Sequence, residues 1–349
     1  DFINRNILRM LKDNDPSFVT VVVCTTRDGN IVYCPEDARE LGWLGYFIGK
    51  NTYVKDLQLS TNPREDFSNN AIEPFFRGVN CNRSIQRISC SNMNLSGGEF
   101  FQVMSRFLED NSNLSELVVD QCEFRGGCAH QLSLALRGCR KSLIIFTLSN
   151  TQMGGEQMVD IIDALSVHPQ LVMLDFQRTN MGRNECTALA SLLRVTSGLQ
   201  TLNLFSNDID DEGVSSLTGA LSNSRLRGLN LSRNSNITFR GWKSLAALLE
   251  NPNSNLEGLF ISSDNIGDEG AHIFASALAN NSKLKTLDLQ NNGITAEGWS
   301  SFSKVLCDTS SINKTFLSNH TLKSLGIQSG VPHNIISLLA LNSSSEDKS

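Results

Sequence analysis

Three sets of residues have types and spacing that invite a chemical reading. Gly45-Tyr46-Phe47-Ile48-Gly49-Lys50-Asn51-Thr52 has the outline of a phosphate-binding loop. Such a loop needs four residues between its glycines and Ser or Thr directly after the Lys, with a strand in front of it. Here three residues separate the glycines, Asn51 follows the Lys, and a helical pattern precedes, so helix termination at Gly49 is the expected role. His130, His168, His272, His320 and His333 are widely separated and form no His-Glu-x-x-His pair. The nine cysteines contain no Cys-x-x-Cys, and Cys122, Cys128 and Cys139 lack zinc-site spacing. No Ser or Cys stands in a Gly-x-Ser-x-Gly turn. The residues therefore nominate no catalytic group, no metal and no cofactor, and the chain is expected not to be an enzyme.

Composition narrows the partners. The chain has 349 residues, 40% of them apolar, and a net charge of −6. That apolar share supports a core and argues against global disorder. A nucleic-acid binder should carry a basic stripe, so none is expected here. The longest apolar run, Val19 to Cys24, is far short of the ~18 to 20 residues of a membrane span. Phe2 to Lys12 mixes Arg, Asn and Leu with no cleavage-site pattern, so no signal peptide is expected. Unpaired thiols fit a reducing compartment, which makes the expected location cytoplasmic or nuclear, not secreted.

The elements that must position everything else come from an internal repeat. Its form is apolar-x-x-apolar-x-apolar, then a polar turn residue and another apolar one, as in Leu199, Leu202, Leu204, Asn207 and Ile209. Copies begin at Val54, Ile85, Leu114, Leu143, Leu171, Leu199, Leu226, Leu256, Leu284 and Ile312, 27 to 31 residues apart, with a weaker one at Phe18. Each copy switches period halfway. Leu202 and Leu204 alternate at strand spacing, whereas Val214, Leu217 and Leu221 recur at helical spacing behind Asp210-Asp211-Glu212-Gly213. Acidic residues there suit a helix N-terminus, and the repeated Gly predicts a close approach to neighbouring backbone. One strand and one helix cannot bury an apolar face alone, so the units must stack as a parallel sheet backed by helices. Trp242 and Trp299 fall on the helical apolar stripe and are expected in the core.

The stretches "LQTLNLFSNDIDDEGVSSLTGAL" and "LKTLDLQNNGITAEGWSSFSKVL" resemble leucine-rich repeats of the ribonuclease-inhibitor-like subclass. The resemblance covers about residues 18–325 and implies an α/β solenoid, a horseshoe of about 11 repeats with a concave parallel sheet and convex helices. It also implies that Asn207, Asn234 and Asn292, with Asn62 and the substitute Asp264, form a structural ladder between adjacent turns. Met93, Cys122, Thr151 and Thr179 replace the asparagine in the N-terminal half, which is expected to be less regular. Insertions are expected after Asn62 and around Asn234-Ser235-Asn236. Residues 1–53 read as an N-terminal cap with a divergent first repeat, including a turn at Arg27-Asp28-Gly29-Asn30 and a helix from about Pro35 to Ile48. Residues 54–325 read as the repeats. Residues 326–349 read as a cap helix from Ile335 to Leu341 and a disordered tail.

Alternation turns one side chain between each pair of inward leucines onto the concave face. The candidate protein-binding residues are Asp175, Asn203, Asn230, Phe260 and Asp288 in that row, with Arg178, Phe205 and Arg233 beside it. Aromatic residues with Arg match the make-up of binding hot spots. The reading is a non-enzymatic protein-interaction module, a scaffold, adaptor or recognition arm, with a protein partner and no nucleic acid, membrane or small-molecule substrate. The resemblance also permits a GTPase-activating protein for a Ran-like small GTPase, and the net charge of −6 suggests a third reading, an inhibitor of a small basic enzyme.

Overall fold

A computed structural model of the chain describes residues 2–25, 32–61, 69–96, 98–111, 113–139, 142–326 and 330–344. The expected turn at Arg27–Asn30, the Asn62 rung with the insertion after it, and most of the polar tail lie outside these residues. The chain forms two compact units, Asp1–Asp175 and Phe176–Ser349.

The first unit opens with α1 (Phe2–Lys12), β1 (Thr20–Cys24) and α2 (Ala38–Lys50). It continues through β2 (Asp56–Ser60), α3 (Asn69–Val79), β3 (Arg87–Ser91) and α4 (Glu99–Asp110). Then come β4 (Glu116–Asp120), α5 (Cys128–Gly138), β5 (Ile145–Ser149), α6 (Gly155–Ala164) and β6 (Met173–Asp175). Its strands pair in parallel and in chain order. The register puts Leu57 beside Ile88, Leu117, Phe146 and Leu174. All five are fully buried, so the period-two pattern decides which face meets the helices.

In the second unit, α7 (Arg183–Val195) is followed by β7 (Thr201–Asn203), α8 (Asp211–Leu221), β8 (Gly228–Asn230) and α9 (Phe239–Glu250). Next are β9 (Gly258–Phe260), α10 (Gly267–Leu278), β10 (Thr286–Asp288) and α11 (Ala296–Leu306). The short α12 (Ile312–Phe316) and α13 (His333–Ser344) complete it. Leu202, Leu229, Leu259 and Leu287 stand in register and are buried. Trp242 and Trp299 are buried as expected. Among the described residues no helix is long and apolar enough to cross a membrane.

The strands of the first unit do not become irregular where the turn asparagine is missing; β1–β5 have five residues each, whereas β7–β10 have three. The difference does not follow the turn residue alone, since five-residue β2 precedes Asn62 and three-residue β6 precedes Thr179. In the second unit the amides of Asn207, Asn234 and Asn292 donate to the carbonyls of Leu204, Leu231 and Leu289, the residues that directly follow a strand. Those carbonyls face the turn instead of continuing the sheet.

Two expectations are corrected. Gly49 does not end a helix: α2 runs to Lys50, and a Cβ on Gly45 or Gly49 would strike the backbone carbonyls of Phe75 and Gly78 on α3. The glycines of the false phosphate loop are a helix-contact surface. The last repeat is also misframed. Ile312, Phe316 and Leu317 are 93%, 78% and 65% exposed, and Ile312–Phe316 is a helix, so this stretch neither forms a strand nor closes the core. The eleventh strand position is held by Leu322-Lys323-Ser324-Leu325. Ser324 bridges Thr286 in parallel, and Lys323 and Ser324 donate to the Lys285 carbonyl as Lys285 and Thr286 do to Glu257. Residues 308–318 are an inserted loop. α13 packs on α11 with Ile335 and Leu339 buried.

Candidate protein-binding face

In the second unit a residue in the left-handed region directly precedes each ladder position: Arg178 (φ 54°), Ser206 (φ 56°), Arg233 (φ 60°), Ser263 (φ 63°) and Asn291 (φ 54°). That conformation is costly for a side chain with a Cβ. The same conformation precedes Met93, Cys122 and Thr151 at Asn92, Gln121 and Asn150, so it belongs to the repeat, and in the second unit the ladder side chains bond across it. Asn207 does so by accepting from the backbone N–H groups of Thr179 and Met181 while its amide donates to the carbonyls of Phe176 and Leu204. Asn234 accepts from Ile209 N–H and donates to Leu204 and Leu231; Asn292 accepts from Asp264 N–H and donates to Ile261 and Leu289. Asn207, Asn234 and Asn292 thus each bond their own turn and the one before it.

Asp264 is the odd rung. One carboxylate oxygen accepts from Asn234 N–H at 2.5 Å, but Oδ2 is buried without a partner. It stands where the other rungs carry a donating amide. Burial pushes the Asp264 carboxyl up to about 7, against two backbone hydrogen bonds that favour its charged form.

The ladder sets Arg178 and Arg233 on either side of Phe205. The guanidinium carbons lie 5.6 and 5.4 Å from the centre of the Phe205 ring, within cation–π range. Both arginines are exposed and Phe205 is half-buried. Phe260 on β9 is 37% exposed and leans back along its own strand, its ring edge over Gly258. Gly258 pairs in register with Gly228. A Cβ on Gly228 would meet nothing closer than the Thr201 side chain at 3.8 Å, and neither glycine has a positive φ. The missing side chain at Gly258 makes room for the Phe260 ring, and Thr201 lies beside Gly228.

The remaining candidates have other tasks. Asn203, Asn230 and Asp288 each accept from the backbone N–H two residues on, at Phe205, Ser232 and Gln290. These local bonds shape the turn that presents the arginines. Asp175 belongs to the first unit and is only 8% exposed, so the expectation that it offers a carboxylate to a partner is corrected. It is a short side chain set between Thr147 across the strand pair and Met173 on the same face of its own strand.

Sequence reasoning missed the Gly228–Gly258 pair, over which the Phe260 ring leans, because glycine carries no pattern of its own. It also missed the ion-pair row where these strands begin. Glu257 is held by Arg227 and by Lys285 (3.1 Å to the latter), and those two cations hold its carboxyl below the usual range. Elsewhere, burial raises the thiols of Cys122 and Cys128 to about 12 and also raises Cys90 and Cys186, which removes them as nucleophiles. His168 is buried between Leu143 N–H and the Leu136 carbonyl, and burial lowers its pKa.

The comparisons agree with this architecture. A family model described as Leucine Rich repeat matches residues 199–217 and 280–303. NACHT, LRR and PYD domains-containing protein 14 of Mus musculus is 35% identical over 119 residues, 34% of this chain and 12% of that protein. The Ribonuclease inhibitor of Sus scrofa is 32% identical over 118 residues, 33% of this chain and 25% of that protein. The chain thus spans a quarter or less of the length of these relatives. Among solved structures, the yeast Rad7 and Elc1 complex has a chain that matches 96% of this one with a TM-score of 0.53 at 14% identity, a likeness of fold. The chain is a leucine-rich-repeat protein of the ribonuclease-inhibitor-like type.

Proposed function

We propose that the chain is a non-enzymatic protein-interaction module, a scaffold or recognition arm, that takes a protein partner on the sheet face of its second unit. The observation that carries this reading is the cluster of Arg178, Phe205 and Arg233, presented by strained turns beside the exposed Phe260. An aromatic ring in that position gains from burial only when something covers it. A rigid, pre-formed face also avoids much of the ordering cost of association. All nine cysteines are free thiols, which supports placement in a reducing, cytoplasmic setting.

The test is a pair of surface variants compared in a binding assay against proteins captured by the intact chain and then purified. Phe205→Ala with Phe260→Ala should weaken binding at least about thirtyfold, the effect of losing a ~2 kcal/mol anchor, with the melting temperature nearly unchanged. Lys243→Glu with Lys304→Glu, on exposed helical positions, should be silent. The opposite pattern would put the interface on the helices and overturn the reading.

A further inference from the structure

Residues 308–318 are an insertion that the core does not use. Their ends touch through Asp308 N–H and Ser318 Oγ, and none of their large apolar side chains is buried. Ile312 and Phe316 on α12, and Leu317 just after it, stand out into solvent instead. The insertion nonetheless has bonds that hold its shape. Ser311 Oγ accepts from Lys314 N–H at 3.2 Å, Thr315 Oγ1 donates to the Asp308 carbonyl at 2.8 Å, and Lys314 lies 3.9 Å from the Asp308 carboxylate. Insertions in stacked repeats often gather on the face that binds. Apolar side chains exposed together on a surface mark a contact, and a pre-shaped contact loses little freedom on association.

The second observation is the surface beside the insertion. A cleft of about 700 Å³ lies between α10, α11 and residues 308–318. Small side chains line it, Ser276 and Ala279 from α10 and Ser301 and Val305 from α11, together with Leu317 of the insertion. The projection and the recess are therefore neighbours on the helix side of the second unit. A surface that carries both side by side is self-complementary, because a two-fold axis between two copies sets each projection into the other's recess. The area is sufficient. The three apolar side chains offer on the order of 400 Å² per copy. With the cleft walls that they meet, two copies bury on the order of 1,000–1,500 Å², the size at which specific interfaces begin.

We infer that this face joins two copies of the chain in an isologous dimer, with Ile312 and Phe316 of each copy seated in the α10–α11 cleft of the other. The contact lies on the helix side, so it is separate from the sheet face and goes beyond the partner reading above.

The experiment is sedimentation velocity on the full 349-residue chain. The parent should be dimeric at about 100 µM and dissociate on dilution, as a micromolar contact does. Ile312→Asp with Phe316→Asp should be monomeric at that concentration, and so should Ala279→Phe, which fills the cleft. Ile312, Phe316 and Ala279 are all exposed, so circular dichroism melts of dilute samples should stay close to the parent. Replacement of residues 309–317 by Gly-Gly should likewise give a folded monomer. A parent that is monomeric at about 100 µM would overturn the inference. A dimer that survives the two Asp substitutions would place the contact elsewhere and overturn it as well. A dimer lost in the Asp variant but kept in Ala279→Phe would show that the projections do not sit in the cleft, which also overturns it.

Discussion

Asp264 concentrates the physics of a single residue. It is an acid in a column of amides, 1% exposed, with one oxygen unsatisfied. Its folded pKa, about 7, lies above the ~3.9 of an unfolded Asp. The folded state therefore holds the proton more tightly, and the stability this contributes is complete below pH ~4 and is lost as pH rises toward 7. Asp264→Asn should restore the donating amide and remove that dependence. We expect the variant to be more stable at pH 8 by about 1–3 kcal/mol, the cost of an unsatisfied buried polar group, and to gain much less at pH 4.5. Urea unfolding at the two pH values reads the difference. An equal gain at both would show that the carboxyl is not titrating.

At the scale of elements, α2 and α3 meet at glycines rather than at a layer of large side chains. A Cβ on Gly78 would collide with the Gly45 carbonyl carbon and the Tyr46 nitrogen, both backbone atoms that cannot swing aside. Gly78→Ala should therefore lower the melting temperature more than ordinary Gly→Ala changes, by several degrees for a loss of about 1–3 kcal/mol. Gly127→Ala, where a Cβ meets nothing within 4 Å, is the control. The inserted loop gives the opposite expectation. Asp308 N–H donates to Ser318 Oγ at 2.9 Å, so the ends of the loop already touch. Replacing residues 309–317 with one or two glycines should cost little, although it removes Ile312, Phe316 and Leu317. Asn319→Ala should instead destabilise by about 1–3 kcal/mol, since its amide holds the Leu278 and Asn281 carbonyls and its oxygen accepts from Thr321 and Leu322 N–H. Thermal melts of the two variants should rank accordingly.

Asn319 also shows what was legible in the sequence and what was not. The strand leucines, the ladder asparagines and the core tryptophans announce themselves, because burial imposes period two or 3.6 on apolar residues. The final repeat was misplaced because Ile312 satisfies the expected 28-residue step. A second, unread column would have corrected it: an asparagine three residues before the first strand apolar residue, as in Asn51 to Val54, Asn82 to Ile85, Asn111 to Leu114 and Asn281 to Leu284. Asn319 to Leu322 fits it, and Ile312 does not. The binding face was half legible. Alternation found Phe205 and Phe260, but it could not separate Asn203 and Asn230, which serve their own turns, from the arginines. The room that lets the Phe260 ring lean over Gly258 comes from a missing side chain, and a pattern of side chains cannot reveal it.

At the scale of the whole chain, some neighbouring repeats of the second unit are joined at their helix starts by a carboxylate that accepts from the next helix, and that bond does not recur at every repeat. Asp211 at the start of α8 accepts from Thr238 and Gly241 of the next helix, and Asp268 at the start of α10 accepts from Thr295 and Gly298. The intervening helix, α9, begins with Phe239 and offers no such carboxylate. Asp211 and Asp268 are 57 residues apart, as are Thr238 and Thr295, so the bonding grammar repeats by pairs. Removing residues 212–268 joins Asp211 to Glu269-Gly270, recreates the native Asp-Glu-Gly start, and returns Asp211 to Thr295 and Gly298. Removing only residues 240–268 puts Phe239 in that place and leaves those N–H groups without a carboxylate. We expect the longer deletion to melt at the higher temperature of the two. A lineage that lengthens or shortens this chain would then change it in double steps, with odd counts weeded out by stability before any partner is consulted.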